Sequence, residues 1–319
     1  MTLNEDATGR RVLVTGGSGM LGSHVVERLL ARGAAVTVLD RKINRRNLAG
    51  LPDTTDLRTV EGDVREPGVL DSAVAGQDAV VHLAAVLMAR SADDPRAAFE
   101  INVAATQELL GQCVRHEVGK LVLGSSVGVY GVPESDDQLI DEGHPIGART
   151  FYGAAKFANE LFCRAYHDSF GLDYVALRFG TLYGDRMNPE GFYPGQLLRL
   201  IDERDSPQVR VAGSPDELHD FLYAGDAAEA AVRAALGPPT DVTLNVVSGR
   251  PTTWAGIVGA LFECLDVSPA VDWQPREVAW APRRRFDGSR ATAVLGLPPA
   301  TELPSGLRRL VDWHLGAAG

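Results

Sequence analysis

The sequence predicts an α/β protein, a doubly wound parallel sheet followed by a smaller C-terminal α/β substrate lobe. Three observations predict it. Short β-branched runs alternate with longer amphipathic stretches through the first half of the chain, the pattern of strands joined by helical crossovers. The strand runs are nearly all apolar, as strands covered on both faces must be. A glycine cluster stands where the first strand gives way to the first helix, the place where such sheets meet a phosphate.

Taken in order, RVLVTG at 11–16 reads as the first strand and MLGSHVVERLLARG at 20–33 as a helix closed by Gly33. AAVTVLD at 34–40, DLRTVEGD at 56–63 and DAVVHLAA at 78–85 are the next three strands. A helix is expected from 95 to 117, with Ala97, Ile101, Ala105, Leu109 and Cys113 on one stripe. KLVLGSS at 120–126 is a fifth strand, 151–169 another helix, and DYVALRF at 173–179 a sixth strand. Beyond 180 the pattern loosens, with helices near 194–204 and 226–236 and a strand at 243–249. From 251 onward a smaller lobe ends in a helix near 303–315. The expected division is a dinucleotide-binding domain over 1–180, rejoined by 218–248, with 181–217 and 249–319 forming a lobe that selects substrate.

Composition excludes several function classes. Of 319 residues, 45% are hydrophobic, and 42 acidic side chains outnumber 31 basic ones. That balance argues against nucleic acid as a partner. No apolar run is long enough to span a membrane, and the first residues lack a signal-peptide core, so a cytoplasmic protein is expected. Cys113, Cys163 and Cys264 are odd in number and far apart, so they encode neither a disulfide framework nor a zinc site and read as structural thiols.

Thr15-Gly16-Gly17-Ser18-Gly19-Met20-Leu21-Gly22 occupies the strand-to-helix turn. Glycine there lets the backbone approach a pyrophosphate, whose charge meets unpaired amides and the positive end of the helix dipole. Asp40 ends the second strand 18 residues past Gly22, where a carboxylate accepts both hydroxyls of an adenosine ribose and repels a 2′-phosphate. NAD rather than NADP is the expected cofactor, although Arg41, Arg45 and Arg46 follow closely. Tyr152 and Lys156 stand four apart on an expected helix and share a face. An ammonium and a positive nicotinamide would both favour the phenolate, making Tyr152 a general base and Lys156 its partner. Ser126, at the end of the fifth strand, can hydrogen-bond the same substrate oxygen.

These residues resemble the extended short-chain dehydrogenase/reductases, in particular the NAD-dependent epimerase/dehydratase family typified by UDP-glucose 4-epimerase. The resemblance runs from about residue 10 to 315. It rests on TGGSGMLG, Asp40, GDVR at 62–65, HLAA at 82–85, INVAAT at 101–106, SSVGVYG at 125–131, YGAAK at 152–156, LRFGTLYG at 177–184 and HDFLYAGD at 219–226. It implies a Rossmann domain that binds NAD through Gly16, Gly19, Met20, Leu21, Gly22 and Asp40. Asp63 and Val64 would meet adenine, and Leu83, Ala84 and Ala85 would lie along the cofactor. Ser126, Tyr152 and Lys156 would be catalytic, with Tyr152 and Lys156 also touching NAD. It further implies a homodimer built on the 95–117 and 151–169 helices, where Ala98, Val103, Leu110, Phe157, Leu161 and Tyr166 supply apolar surface beyond the stripe that covers the sheet.

Departures from the family concern the substrate. Dehydratases place an Asp-Glu pair after the catalytic Thr, whereas Ser126 is followed by Val127-Gly128. Thr181 replaces an Asn that usually donates to the substrate diphosphate, and His219 replaces an Arg that usually grips a phosphate. Arg276, or one of Arg283, Arg284 and Arg285, would supply the remaining cation. The leading expectation is an NAD-dependent sugar-nucleotide epimerase acting at C4. The alternatives are an NAD-dependent dehydrogenase or reductase of a hydroxy substrate without a diphosphate, and a non-catalytic dinucleotide sensor.

Overall fold

The structure is a computed structural model that describes residues 6–52, 54–274 and 284–316. Its centre is a seven-stranded parallel sheet of order β12-β7-β5-β4-β1-β2-β3. The chain enters at β1 (Arg11–Thr15) and winds outward through α1 (Met20–Ala31), β2 (Ala35–Asp40), β3 (Leu57–Glu61) and α2 (Pro67–Val74). It then returns to β4 (Ala79–His82) on the other side of β1. The strand order reverses at β1 and β4, so a crevice opens at their carboxyl ends.

From there the chain runs through α3 (Met88–Asp93), α4 (Pro95–Phe99), α5 (Ala105–Arg115), β5 (Lys120–Ser126), β6 (Leu139–Ile140), α6 (Phe151–Phe170) and β7 (Asp173–Phe179). The helix expected over 95–117 is not continuous. Residues 100–104 form a wide π turn between α4 and α5. Within it Asn102 Oδ1 accepts from Val86 N at 2.7 Å and its Nδ2 donates to Val86 O at 2.9 Å. This clamp ties the turn to the segment after β4, and such turns are frequent at functional sites.

The remaining elements are β8 (Thr181–Tyr183), α7 (Phe192–Asp202), β9 (Gln208–Ala212), β10 (Leu218–His219), β11 (Phe221–Tyr223), α8 (Ala224–Leu236) and β12 (Val242–Val246). They are followed by β13 (Thr252–Thr253), α9 (Trp254–Leu265), β14 (Ala270–Gln274), β15 (Arg285–Phe286), α10 (Ser289–Leu295) and α11 (Leu303–Gly316). β12 pairs with β7 in parallel, so residues 242–246 complete the main sheet.

Two apolar layers cover that sheet. On one face α1, α8 and α10 bury Val25, Leu29, Ala231 and Leu295 against the strands. On the other, α2, α5 and α6 bury Leu70, Leu109, Cys113 and Cys163. A separate core gathers α7, α9 and α11 around the fully buried Trp254. All three thiols are free and buried.

The apolar surface expected on the two long helices is redistributed. Ala98, Val103 and Leu110 are buried within this chain, and Phe157 and Tyr166 pack on its apolar cores. Of the six residues only Leu161 is exposed, at 51%; Phe99, Phe162 and Phe170 on the same helices are exposed as well.

Candidate active site

The glycine loop is shaped by contacts that no side chain would permit. Gly16 has φ +68°, and a Cβ there would lie 2.9 Å from the amide nitrogen of Ala84. A Cβ on Gly22 would lie 2.1 Å from the carbonyl oxygen of Gly16. The first turn of α1 therefore packs directly on the loop, and the loop packs directly on the segment Leu83–Ala84 after β4. Gly19 caps α1 without a side chain, and no acidic residue occupies its first turn. The amides there are left for an anion, so the loop fits a dinucleotide pyrophosphate. Met20 and Leu21 face away from each other, Met20 toward the Trp254 core and Leu21 toward the sheet core.

Asp40 ends β2 half-buried, accepting from the amide of Ser18 at 3.2 Å and from its hydroxyl at 2.7 Å. The glycine loop and the Asp40 carboxylate are thus one hydrogen-bonded unit. Asp63 is already engaged by Arg65, whose Nε and Nη2 donate at 3.0 and 2.7 Å. Those hydrogen bonds hold the Asp63 carboxyl below the usual range. Val64 is buried beneath it. Arg46 stacks over Trp313 of α11, 4.0 Å from the ring centre, while Arg41 and Arg45 are exposed. At β4, Leu83 and Ala84 donate through their amides to Thr15 Oγ1, both at 3.3 Å, and Ala85 is half-buried beyond them.

β5 delivers Ser126 half-buried at the sheet's carboxyl edge, where its Oγ accepts from Gly128 N at 3.0 Å. Thr150 caps α6 by accepting from Gly153 N at 3.0 Å. A Cβ on Gly153 would lie 2.5 Å from the carbonyl oxygen of Gly128. The first turn of α6 is therefore laid against the turn that follows Ser126. Lys156 is buried beneath Tyr152, 5.4 Å from the ring centre, and donates to Gly124 O at 2.7 Å.

The electrostatics differ from the sequence expectation in one respect. Burial pushes the Tyr152 phenol up to about 12. Burial also pushes Lys156 down to about 8, opposed by the carboxylate of Glu160. Desolvation thus outweighs the neighbouring ammonium, and the protein by itself keeps Tyr152 protonated. The positive charge of a bound oxidised nicotinamide is what remains to favour the phenolate.

The sequence did not single out the polar scaffold under these residues. His82 joins Thr15 Oγ1 at 2.7 Å to Thr106 Oγ1 at 2.9 Å, and Asn159 Nδ2 donates to Asn102 O at 2.6 Å. Burial, then the charge of Lys156, pushes the His82 imidazole down to about 3. The usable signal was the helical spacing Lys156, Asn159, Glu160 on one buried face.

The residues expected on the substrate side are placed unevenly. Thr181 lies half-buried in β8, and its amide donates to Asp220 O at 2.8 Å. His219 Nε2 lies 2.5 Å from the Tyr193 hydroxyl and 3.5 Å from Glu217 Oε2. That nitrogen sits beside a carboxylate, with the ring packed on Tyr193 and Phe221. Arg276 and Arg283 lie outside the described residues. Among the described residues, Arg284 and Arg285 each bury an Nε without a hydrogen-bond partner, and burial, then the charge of Arg149, pushes the Arg284 guanidinium down.

The fold and the glycine loop define the class, a Rossmann-type dinucleotide-binding enzyme. The chain belongs to the NAD dependent epimerase/dehydratase family, whose model matches residues 12–247. It is an enzyme of the extended short-chain dehydrogenase/reductase group, and its cofactor is NAD. It is 31% identical over 314 residues to a putative UDP-glucose 4-epimerase of Methanocaldococcus jannaschii, covering 95% of this chain and 97% of that one. It is 32% identical to a dTDP-glucose 4,6-dehydratase of Streptomyces niveus, covering 95% and 92%. Among solved structures, the UDP-glucose 4-epimerase of Thermus thermophilus in complex with NAD superposes with a TM-score of 0.83 at 31% identity, covering 96% of this chain and 99% of that one. A dTDP-glucose 4,6-dehydratase from Streptomyces venezuelae with NAD bound gives 0.87 at 30% identity, covering 96% and 97%.

Proposed function

We propose that this chain is an NAD-dependent sugar-nucleotide epimerase that inverts C4 through a transient keto sugar. Relatives named as epimerases and as dehydratases are about equally similar, so the choice rests on one observation. Ser126 is followed by Val127 and Gly128, which form a tight 3₁₀ turn with no carboxylate to remove water from the sugar. In this reading Gly16, Gly19, Met20, Leu21, Gly22, Asp40, Asp63, Val64, Leu83, Ala84 and Ala85 hold NAD, which supplies a hydride acceptor and donor when bound. Ser126 hydrogen-bonds the reacting hydroxyl. Tyr152 takes its proton and later returns it, and Lys156 sets the charge beneath the phenol. Arg284, whose Nε has no partner among the described residues, receives the diphosphate. Residues 1–180 and 218–248 form the cofactor domain, and the rest selects the sugar.

Further parts of the proposal are a cytoplasmic location and a homodimer. No helix among the described residues is long and apolar enough to cross a membrane. The exposed apolar side chains of Phe99, Leu161, Phe162 and Phe170 support pairing of two copies. Incubation with UDP-, dTDP-, GDP- and CDP-sugars, followed by chromatography of the isomers, tests the activity. The expected result is interconversion of C4 epimers without net NADH. Stoichiometric NADH would instead select the dehydrogenase reading, and a deoxy-keto product the dehydratase reading.

A further inference from the structure

Lys156 and Glu160 stand one helical turn apart on α6, and both reach the two residues that precede Ser126. Lys156 holds the carbonyl of Gly124, and Glu160 Oε1 accepts from the hydroxyl of Ser125 at 2.5 Å. Glu160 is fixed in turn by Arg178, which sits directly opposite Ser125 in the register of β5 and β7. Arg178 donates from Nε to Oε1 at 3.0 Å and from Nη2 to Oε2 at 2.6 Å. Its Nη1 donates to the hydroxyl of Tyr130 at 2.7 Å, four residues beyond Ser126, and Tyr130 donates to Asn245 Oδ1 at 2.6 Å. Both charged side chains are almost wholly buried, at 5% and 6% exposure.

A buried ion pair contributes little net stability over a well-packed apolar pair, because desolvation offsets the attraction. Holding α6 to the sheet therefore does not account for it. We propose that Glu160, clamped by Arg178, is a positioning residue for proton transfer: it holds Ser125, next to Ser126, and places a negative charge one helical turn from Lys156. The inference rests on the assignment of Ser126, Tyr152 and Lys156 to that step. Facing Lys156 are Tyr152 and Glu160 from its own helix, His82 from β4, the carbonyl of Gly124 from β5 and, behind Glu160, Arg178 from β7. His82 is neutral at working pH because of its burial. Burial pushes Lys156 down, and the carboxylate of Glu160 opposes that push.

The chain has only three lysines, Lys42, Lys120 and Lys156, so ¹³Cε-lysine NMR titration reads each one without substrate. In Glu160→Gln, which keeps an oxygen for Ser125, the Lys156 midpoint is expected to fall by about half a pH unit or more while Lys42 and Lys120 stay in place. The alkaline limb of kcat should move to lower pH by the same amount. Glu160→Asp, which restores the charge, should return the midpoint toward the wild-type value. If Glu160→Gln strands the Arg178 guanidinium and does not fold, Glu160→Gln with Arg178→Gln removes both charges and should shift Lys156 in the same direction. An unmoved Lys156 midpoint in a folded charge-removed variant overturns the proposal. Because the titration needs no turnover, failure of the epimerase reading would leave that result intact.

Discussion

The imidazole of His219 and the hydroxyl of Tyr193 lie 2.5 Å apart, with Glu217 accepting from the same hydroxyl at 2.8 Å. A guanidinium placed at 219 would meet Glu217 before it met a ligand. His219→Arg should therefore gain little of the 1.5–3 kcal/mol, roughly, that a charge-assisted contact to a diphosphate is worth. Calorimetric Kd values for one UDP-sugar should differ by less than about threefold between the two proteins, well under the tenfold of about 1.4 kcal/mol. Tightening of tenfold or more would place His219 against the substrate.

Tyr152→Phe should reduce turnover by about 10²- to 10⁴-fold, the usual contribution of a positioned acid/base, while NAD binding and thermal stability stay near wild type. Since burial holds the phenol at about 12 in the protein alone, saturating NAD⁺ should lower its midpoint. Tyrosinate absorbance of wild type minus Tyr152→Phe, with and without NAD⁺, measures this directly. A midpoint unmoved by NAD⁺ would mean that the cofactor's charge does not reach Tyr152.

Gly22→Ala is expected to abolish cofactor binding, because the new methyl must occupy space 2.1 Å from the Gly16 carbonyl oxygen. Backbone displacement of this kind costs about 1–3 kcal/mol or more in a packed region. Fluorescence titration with NADH reads the binding, and denaturant melting reads the cost.

Asp40→Ala should relax the preference for NAD over NADP, since repulsion of the 2′-phosphate is lost. Ser18→Ala should weaken NAD as well, by freeing the carboxylate that Ser18 now holds at 2.7 Å. Competitive binding of NADH and NADPH distinguishes the two variants, and tighter NADPH binding by the wild type would refute the assignment.

His82 makes stability depend on pH. Its midpoint is about 3 in the folded protein and about 6.5 when unfolded, so between those values the unfolded chain binds the extra proton. Stability is thus full above about pH 6.5 and declines below it, by about 2 kcal/mol at pH 5 at 1.36 kcal/mol per unit. Melting curves at pH 7.5 and pH 5 should show this loss in wild type and a smaller one in His82→Gln.

The main sheet was legible because its strands are apolar runs punctuated by glycine, and β1, β2, β5 and β7 fall within a residue or two of their expected bounds. The placement of Tyr152 over Lys156 was legible for a similar reason, a fixed helical spacing. What escaped is what depends on partners far along the chain. Asn102 in the π turn is clamped by Val86, and the clamp on Ser125 needs Glu160 and Arg178 from two other elements. The contact of His219 with Tyr193, 26 positions away, is of the same kind.

The pairing of β12 with β7 has a consequence during synthesis. Until residue 246 has left the ribosome, β7 stays an open edge and Tyr130 lacks its partner Asn245. A nascent chain that already carries the glycine loop, Ser126, Tyr152 and Lys156 would therefore expose an unpaired, apolar strand to its neighbours. Residues 180–241 separate these two neighbouring strands in the chain, so the main sheet closes only after that whole segment has been made.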